Sequence, residues 1–284
     1  MSRIVFVNGS FVPYEEARIP IMDRGFLFAD GIYEVSAVID GRLIDNEAHL
    51  ARLERSLGEI RIANPYAIAQ WIELEKELVA RNNLREGLVY MQVTRGVAER
   101  DFAFPKDVAP TVVMFTQEKN MRGAPAAKAG AAVVTVPDLR WKRRDIKSVA
   151  LLAQVLAKQA AAEAGVAEAW MVEDGKVTEG GSSTAFIITQ DGTIVTRELS
   201  HALLPGITRK TVMRLAQEAQ LRVEERAFSV EEAGQAREAF LTSATSLVLP
   251  VVSIDGKPVG DGKVGPLVTR LRELYLDMAA ATPA

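Results

Sequence analysis

The stretch Glu168-Ala169-Trp170-Met171-Val172-Glu173-Asp174-Gly175-Lys176-Val177-Thr178-Glu179-Gly180 sets two β-like runs on either side of an Asp-Gly pair. Asp and Gly tolerate the positive φ angles of a tight two-residue hairpin, so the pair joins antiparallel strands. The same punctuation recurs at Asn8-Gly9, Asp40-Gly41, Asp191-Gly192 and Asp255-Gly256. Many of the strands are therefore expected to be antiparallel. Helical spacing fills the gaps. Over residues 46–60, Leu50, Leu53, Leu57 and Ile60 fall on one face, and Asn46 is the expected N-cap. A second helix is expected over 66–81, then strands over 87–94 and 111–116. The polar run Lys119-Asn120-Met121-Arg122-Gly123 breaks the pattern. It is read as a linker, 119–123, between a small N-terminal domain, 1–118, and a larger C-terminal domain, 124–284. The second half is expected to hold a strand over 132–136 and an alanine-rich helix over 149–164, followed by more hairpins. Pro205-Gly206-Ile207-Thr208 opens a helix reaching Ala219, and Ser229 with Glu232 has the spacing of a capping box. The fold class is α+β, with antiparallel or mixed sheets covered by helices.

Composition narrows the function classes. A chain of 284 residues exceeds the usual single core and favours two domains. A net charge of -3, with both signs mixed along the chain, gives no electrostatic case for nucleic acid and leaves a small molecule as the default partner. Cysteine is absent and there are only His49 and His201, so neither a thiolate nor a histidine-rich metal site is expected. No run approaches the roughly 18 apolar residues that span a bilayer, and the first residues alternate like a strand. The expectation is a cytoplasmic protein without a membrane segment.

The chemistry concentrates in two segments. Lys147 follows the cations Lys142, Arg143 and Arg144 and precedes Val149-Ala150-Leu151-Leu152, where a polar stretch turns apolar. Nearby cations and desolvation both favour the neutral amine that attacks an aldehyde. A solvated lysine at a helix start fits that spacing as well. Glu179, ahead of Gly180-Gly181, offers a carboxylate where backbone can approach a ligand closely, although a turn glutamate reads the same way. An anion cradle needs backbone amides at a helix start, hydroxyls and a cation. Pro205-Gly206-Ile207-Thr208 and Ser243-Ala244-Thr245-Ser246 offer the first two, and Arg52 offers the third unless it is simply a solvated helix residue. Neither of the common Gly-rich nucleotide-binding patterns is present. An imine-forming lysine, a carboxylate for a ring nitrogen and a phosphate cradle are together what pyridoxal phosphate requires.

Taken in order, the chain resembles the fold-type IV pyridoxal-phosphate aminotransferases (class IV), and most closely the bacterial D-amino-acid transaminases. The resemblance is carried by Asp23-Arg24-Gly25-Phe26, Phe28-Ala29-Asp30-Gly31-Ile32-Tyr33-Glu34-Val35 and His49-Leu50-Ala51-Arg52-Leu53. It continues through Gln92-Val93-Thr94-Arg95-Gly96 with Arg100 and Phe104-Pro105, then Asp145-Ile146-Lys147-Ser148 and Thr178-Glu179-Gly180. It ends with Gly206-Ile207-Thr208-Arg209 and Thr242-Ser243-Ala244-Thr245-Ser246. It implies a two-domain subunit with pyridoxal 5'-phosphate in the interdomain cleft, working as a homodimer. By the same resemblance Lys147 is the catalytic lysine in the C-terminal domain, Arg52, Ile207, Thr208, Ser243 and Ala244 bind the phosphate, and Glu179 holds the pyridine nitrogen. Tyr33 reaches the substrate, and Arg100 traps its carboxylate from across the dimer interface. The implied reaction moves the amino group of a D-amino acid such as D-alanine to a 2-oxo acid such as 2-oxoglutarate by a ping-pong route. The chain departs from that pattern at Phe102, where D-amino-acid transaminases of the best-known type carry a histidine beside the trapping arginine, and at Ala244, which stands in place of a threonine in the phosphate turn. Phe102 favours apolar side chains or substrates lacking a carboxylate. The alternatives are a branched-chain L-amino-acid transaminase, then an (R)-amine transaminase or an aminodeoxychorismate lyase. The resemblance assigns no role to His49 or His201.

Overall fold

In the computed structural model, which describes residues 2–283, both residues of Asn8-Gly9, Asp40-Gly41, Asp174-Gly175 and Asp255-Gly256 take positive φ. Those pairs join β1 (Ile4–Val7) to β2 (Ser10–Pro13) and β3 (Gly31–Ile39) to β4 (Arg42–Ile44). They also join β8 (Glu168–Glu173) to β9 (Lys176–Gly180) and β14 (Leu247–Ile254) to β15 (Lys257–Pro258), all antiparallel. Asp191-Gly192 makes a wider turn between β10 (Thr184–Ile188) and β11 (Ile194–Thr196), in which only the glycine takes positive φ.

The chain forms two compact units. The first runs to Lys119 and also takes in Ile146–Ala150 and the residues from Thr282; the second holds Asn120–Asp145 and Leu151–Ala281. Lys147, expected in the C-terminal domain, thus groups with the N-terminal unit.

The first unit is built on an antiparallel sheet ordered β2-β1-β6-β5-β3-β4, where β5 is Glu86–Thr94 and β6 is Thr111–Glu118. Along β3 the two-residue period puts Ile32, Glu34, Ser36 and Val38 on one face, each fully buried. Ile32 and Val38 share a core with Leu50, Leu53 and Leu57 of α2 (Asn46–Glu59) and with Trp71 and Leu78 of α3 (Ile68–Arg81). The other face carries a ring ladder. Tyr33 stacks on Tyr90 at 5.7 Å and Tyr90 on Phe115 at 4.6 Å. The short α1 (Arg24–Phe28) is capped by Asp23, which accepts from the Gly25 amide.

Two expectations fail here for tertiary reasons. Asn46 is not the N-cap of α2; Asp45 holds that position in the left-handed region. The Asn46 side chain instead donates to Glu75 and accepts from Ser36. Helix α3 starts at Ile68 rather than residue 66, because Tyr66 packs edge-on against Trp71 at 5.0 Å.

The second unit carries a mixed sheet ordered β12-β11-β10-β13-β14-β7-β8-β9, with β15 on β14; here β7 is Ala131–Pro137, β12 is Val223–Glu225 and β13 is Glu238–Ser243. The parallel contacts are β11 with β12, β14 with β7 and β7 with β8. Phe186 and Phe240, partners across β10 and β13, stack at 4.5 Å. Helices α4 (Pro125–Ala129), α5 (Leu152–Glu163), α6 (Ile207–Glu218), α7 (Val230–Gly234) and α8 (Pro266–Ala281) complete the unit. Ser229 caps α7 through the Glu232 amide, but the Glu232 carboxylate turns to Arg226, so the capping box is half made. The fold is α+β. Among the described residues no helix is long and apolar enough to cross a membrane.

Candidate active site

Helix α5 begins at Leu152, three residues later than the spacing predicts, because the segment holding Lys147 is extended and lies against β3. The Tyr33 amide donates to the Lys147 carbonyl at 2.9 Å, the Val149 amide donates to Gly31 at 3.0 Å, and Ser148 bridges Ile32. Alternation then turns Ile146 into the core and Lys147 away from it. The Lys147 Nζ stands 4.1 Å from the centre of the Tyr33 ring. The expected crowding of this amine by cations does not occur in that form. Arg143 turns to Asp145, and Arg144 forks onto Glu173 at 2.7 and 2.8 Å.

Arg52 does not lie on the solvated side of α2. It is 7% exposed, and its Nε and Nη2 donate to Glu34 at 2.7 and 2.9 Å. His49, one turn earlier, meets the same carboxylate through Nδ1 at 2.8 Å. Full burial acts to raise the Glu34 pKa, yet the Arg52 charge and the bonds from His49 and Arg52 hold it well below the usual carboxylate range. Nearby, Glu75 has no cation bonded to it among the described residues, and burial pushes it up to about 8 against the bonds from Asn46 and Ser36.

The segment carrying Arg100 and Phe102 is tied down by three ionic residues. Asp30 accepts from Arg24 at 2.8 Å and from Arg95 at 2.7 and 2.9 Å, and Arg24 reaches on to the Asp101 carbonyl at 2.6 Å. Arg95 also covers the Phe104 ring at 3.6 Å. The Arg100 guanidinium lies 5.2 Å from Phe28 and 5.5 Å from Phe102, whose ring is 76% exposed.

In the second unit Glu179 lies buried on β9 and accepts from Arg140 and from the Leu204 amide. Burial raises its pKa, and Arg140 opposes the rise without cancelling it, because the same guanidinium makes bonds of 2.7 and 2.9 Å to the buried Asp138. Thr178 also donates to Asp138, at 2.6 Å. Ile207 and Thr208 form the first turn of α6, both buried, after the N-cap Gly206. Ser243 and Ala244 form the turn after β13, where the Ser243 hydroxyl accepts from the Ser246 amide at 3.0 Å.

Lys147, Tyr33, Arg52 and Arg100 thus belong to the first unit, and Glu179, Ile207, Thr208, Ser243 and Ala244 to the second. Glu34, Asp138 and Arg140 carry no assignment from the sequence. A signal existed for Glu34, an acid in the buried register of β3.

Each unit carries groups that suit a part of pyridoxal phosphate. Among the described residues no side chain caps α6 and the buried Thr242 hydroxyl beside the Ser243 turn has no hydrogen-bond partner, and a Cβ on Gly206 would stand 2.8 Å from Thr184 Oγ1. Those features suit an anion at a helix N-terminus. A buried carboxylate on Glu179 suits a protonated ring nitrogen.

The chain belongs to amino-transferase class IV, whose pattern matches residues 31–254. Within that class it is similar to the D-alanine aminotransferase of Staphylococcus aureus (strain MSSA476), 40% identical over 270 residues and 95% of each chain. It is also similar to that of Bacillus licheniformis, 39% identical over 98% of this chain and 99% of the other. Among solved structures it resembles the T.th. branched-chain amino acid aminotransferase complexed with N-(5'-phosphopyridoxyl)-L-glutamate. The TM-score there is 0.91 with 27% identity, covering 100% of this chain and 96% of that one. The Escherichia coli branched-chain enzyme shares the fold, with a TM-score of 0.92 at 23% identity, covering 98% and 94%.

Proposed function

We propose that the chain is a pyridoxal-phosphate-dependent transaminase that moves the amino group of a D-amino acid such as D-alanine to a 2-oxo acid such as 2-oxoglutarate, working as a cytoplasmic homodimer. The observation that carries the reading is the Lys147 amine, fixed by backbone bonds to β3 and held over the Tyr33 ring. When bound, pyridoxal phosphate would supply an aldehyde and a ring able to accept the electron pair released at the substrate α-carbon. Lys147 would hold the cofactor through its amine, and the same amine, once freed, would take up and return the proton of the substrate α-carbon. Glu179 keeps the proton on the ring nitrogen, with Arg140 and the Leu204 amide fixing its carboxylate. Arg52, the amides of Ile207 and Ala244 and the hydroxyls of Thr208 and Ser243 hold the phosphate.

Arg100 binds the substrate carboxylate by a two-point fork, from one subunit into its partner's site, and Tyr33 bounds the side-chain space. Phe102 beside Arg100 makes the pocket more apolar than a histidine would. The whole-chain likeness to a branched-chain enzyme at 27% identity favours an L-branched-chain transaminase as the second reading, behind relatives at 39–40%. Mixing the holoprotein separately with D-alanine, L-leucine and (R)-1-phenylethylamine and following the cofactor absorbance decides among them. Conversion to the amine form by D-alanine is the expected result. Conversion by L-leucine alone supports the second reading, and no conversion by any of them overturns both.

A further inference from the structure

His49 and Glu34 have no part in the roles assigned above, yet they form the most buried ionic cluster of the first unit with Arg52. Glu34 is fully buried, His49 is 3% exposed and Arg52 7%. Glu34 occupies the Nε–Nη2 edge of the guanidinium, which fixes both the plane and the roll of a side chain that otherwise turns about four bonds. Its carboxylate is fixed in turn. It grows from the middle of β3, where Glu34 lies opposite Met91 of β5, and His49 Nδ1 bonds its Oε2. An ionised carboxylate only accepts, so Nδ1 carries the proton. One strand therefore sets two site groups, with Tyr33 on one face under Lys147 and Glu34 on the other against Arg52.

We infer that Glu34 and His49 are positioning residues for the cofactor phosphate: they aim the Arg52 guanidinium, and His49 acts through Glu34 rather than on the cofactor. The inference rests on the reading of Arg52 as the phosphate cation. A buried Arg-Glu-His cluster that merely fastened α2 to β3 would stabilise the fold without distinguishing a phosphorylated ligand from one without phosphate. The positioning role makes that distinction, and the difference is measurable.

The variants are Glu34→Asp, His49→Ala, His49→Asn and Arg52→Gln. Glu34→Asp keeps the charge and withdraws the carboxylate by one methylene, so any effect is one of geometry. His49→Asn keeps an amide N–H near the Nδ1 position. Each apoprotein is titrated with pyridoxal 5'-phosphate and with pyridoxal, which lacks the phosphate, and phosphorus NMR of the bound cofactor reports the phosphate surroundings. Glu34→Asp and His49→Ala are expected to weaken pyridoxal phosphate by about tenfold and to leave pyridoxal within about twofold, with a shifted phosphorus resonance. His49→Asn restores most of the loss. In the Arg52→Gln background Glu34→Asp has little further effect, since both act through one guanidinium.

Equal weakening of both ligands by Glu34→Asp, or none, overturns the inference while Arg52→Gln still lowers the phosphate preference. Arg52→Gln leaving that preference intact overturns the phosphate reading of Arg52 and this inference with it. If Glu34→Asp does not fold, His49→Ala, which leaves the ion pair in place, decides alone by the same two titrations.

Discussion

Glu75 should make the protein lose stability as pH rises through neutrality. Its carboxyl lies fully buried on α3, with Oε2 bonded by Asn46 and, among the described residues, no hydrogen-bond partner on Oε1, and the charge of Glu34 adds to the burial penalty. The folded pKa of about 8 stands above the ordinary 4.5, so between those values the folded chain keeps a proton that the unfolded chain has released. Stability from this group is complete below pH 4.5 and falls as pH rises to about 8. At 1.36 kcal/mol per unit, the loss between pH 5 and pH 9 comes to about 4 kcal/mol. Glu75→Gln keeps the size and an oxygen for Asn46 but cannot ionise. Urea unfolding of parent and variant across that pH range should therefore diverge, the variant gaining about 4 kcal/mol relative to the parent from acid to base. An unsatisfied amide N–H in the variant offsets the two curves by about 1–3 kcal/mol without altering their divergence. Parallel curves would refute the reasoning, since they mean that Glu75 titrates alike folded and unfolded.

Asp138→Asn leaves Arg140 and Arg144 without their shared buried carboxylate, and a cost of about 3 kcal/mol lowers the thermal midpoint by roughly 10 °C in a scan at neutral pH. Leu78→Ala, in the core of the first unit, costs about 2–5 kcal/mol in urea unfolding and leaves the turnover of folded enzyme unchanged. At Gly96, φ is +102° and a Cβ would stand 2.1 Å from the Ala109 carbonyl. Gly96→Ala therefore displaces the segment that bears Arg100 and raises KM for D-alanine on the order of tenfold in steady-state kinetics.

The hairpins were legible because Asx-Gly chemistry is local; no distant residue is needed to explain Asp174-Gly175. The leucine face of α2 was legible for the same reason, since the period of a helix lies in consecutive residues. What escaped depends on partners far along the chain. Lys147 reads as a helix start until β3 is seen to pair with 147–149, and Asn46 reads as a cap until Glu75, twenty-nine positions on, takes its side chain. Glu34 was visible only as an acid in the register of Ile32, Ser36 and Val38, and its target lies on another element. Asp138 and Arg140 sit in an ordinary-looking polar stretch, and only the fold brings them to Glu179. The order of motifs along the chain singled out Lys147 and Glu179 as candidates; the network around each lies in three dimensions.

The measurement that tests the central claim most directly is borohydride reduction of the holoprotein followed by peptide mapping with mass spectrometry. A single phosphopyridoxyl group is expected, attached to the peptide containing Lys147 and absent from Lys147→Ala. Attachment at another lysine, or none at all, would contradict the claim.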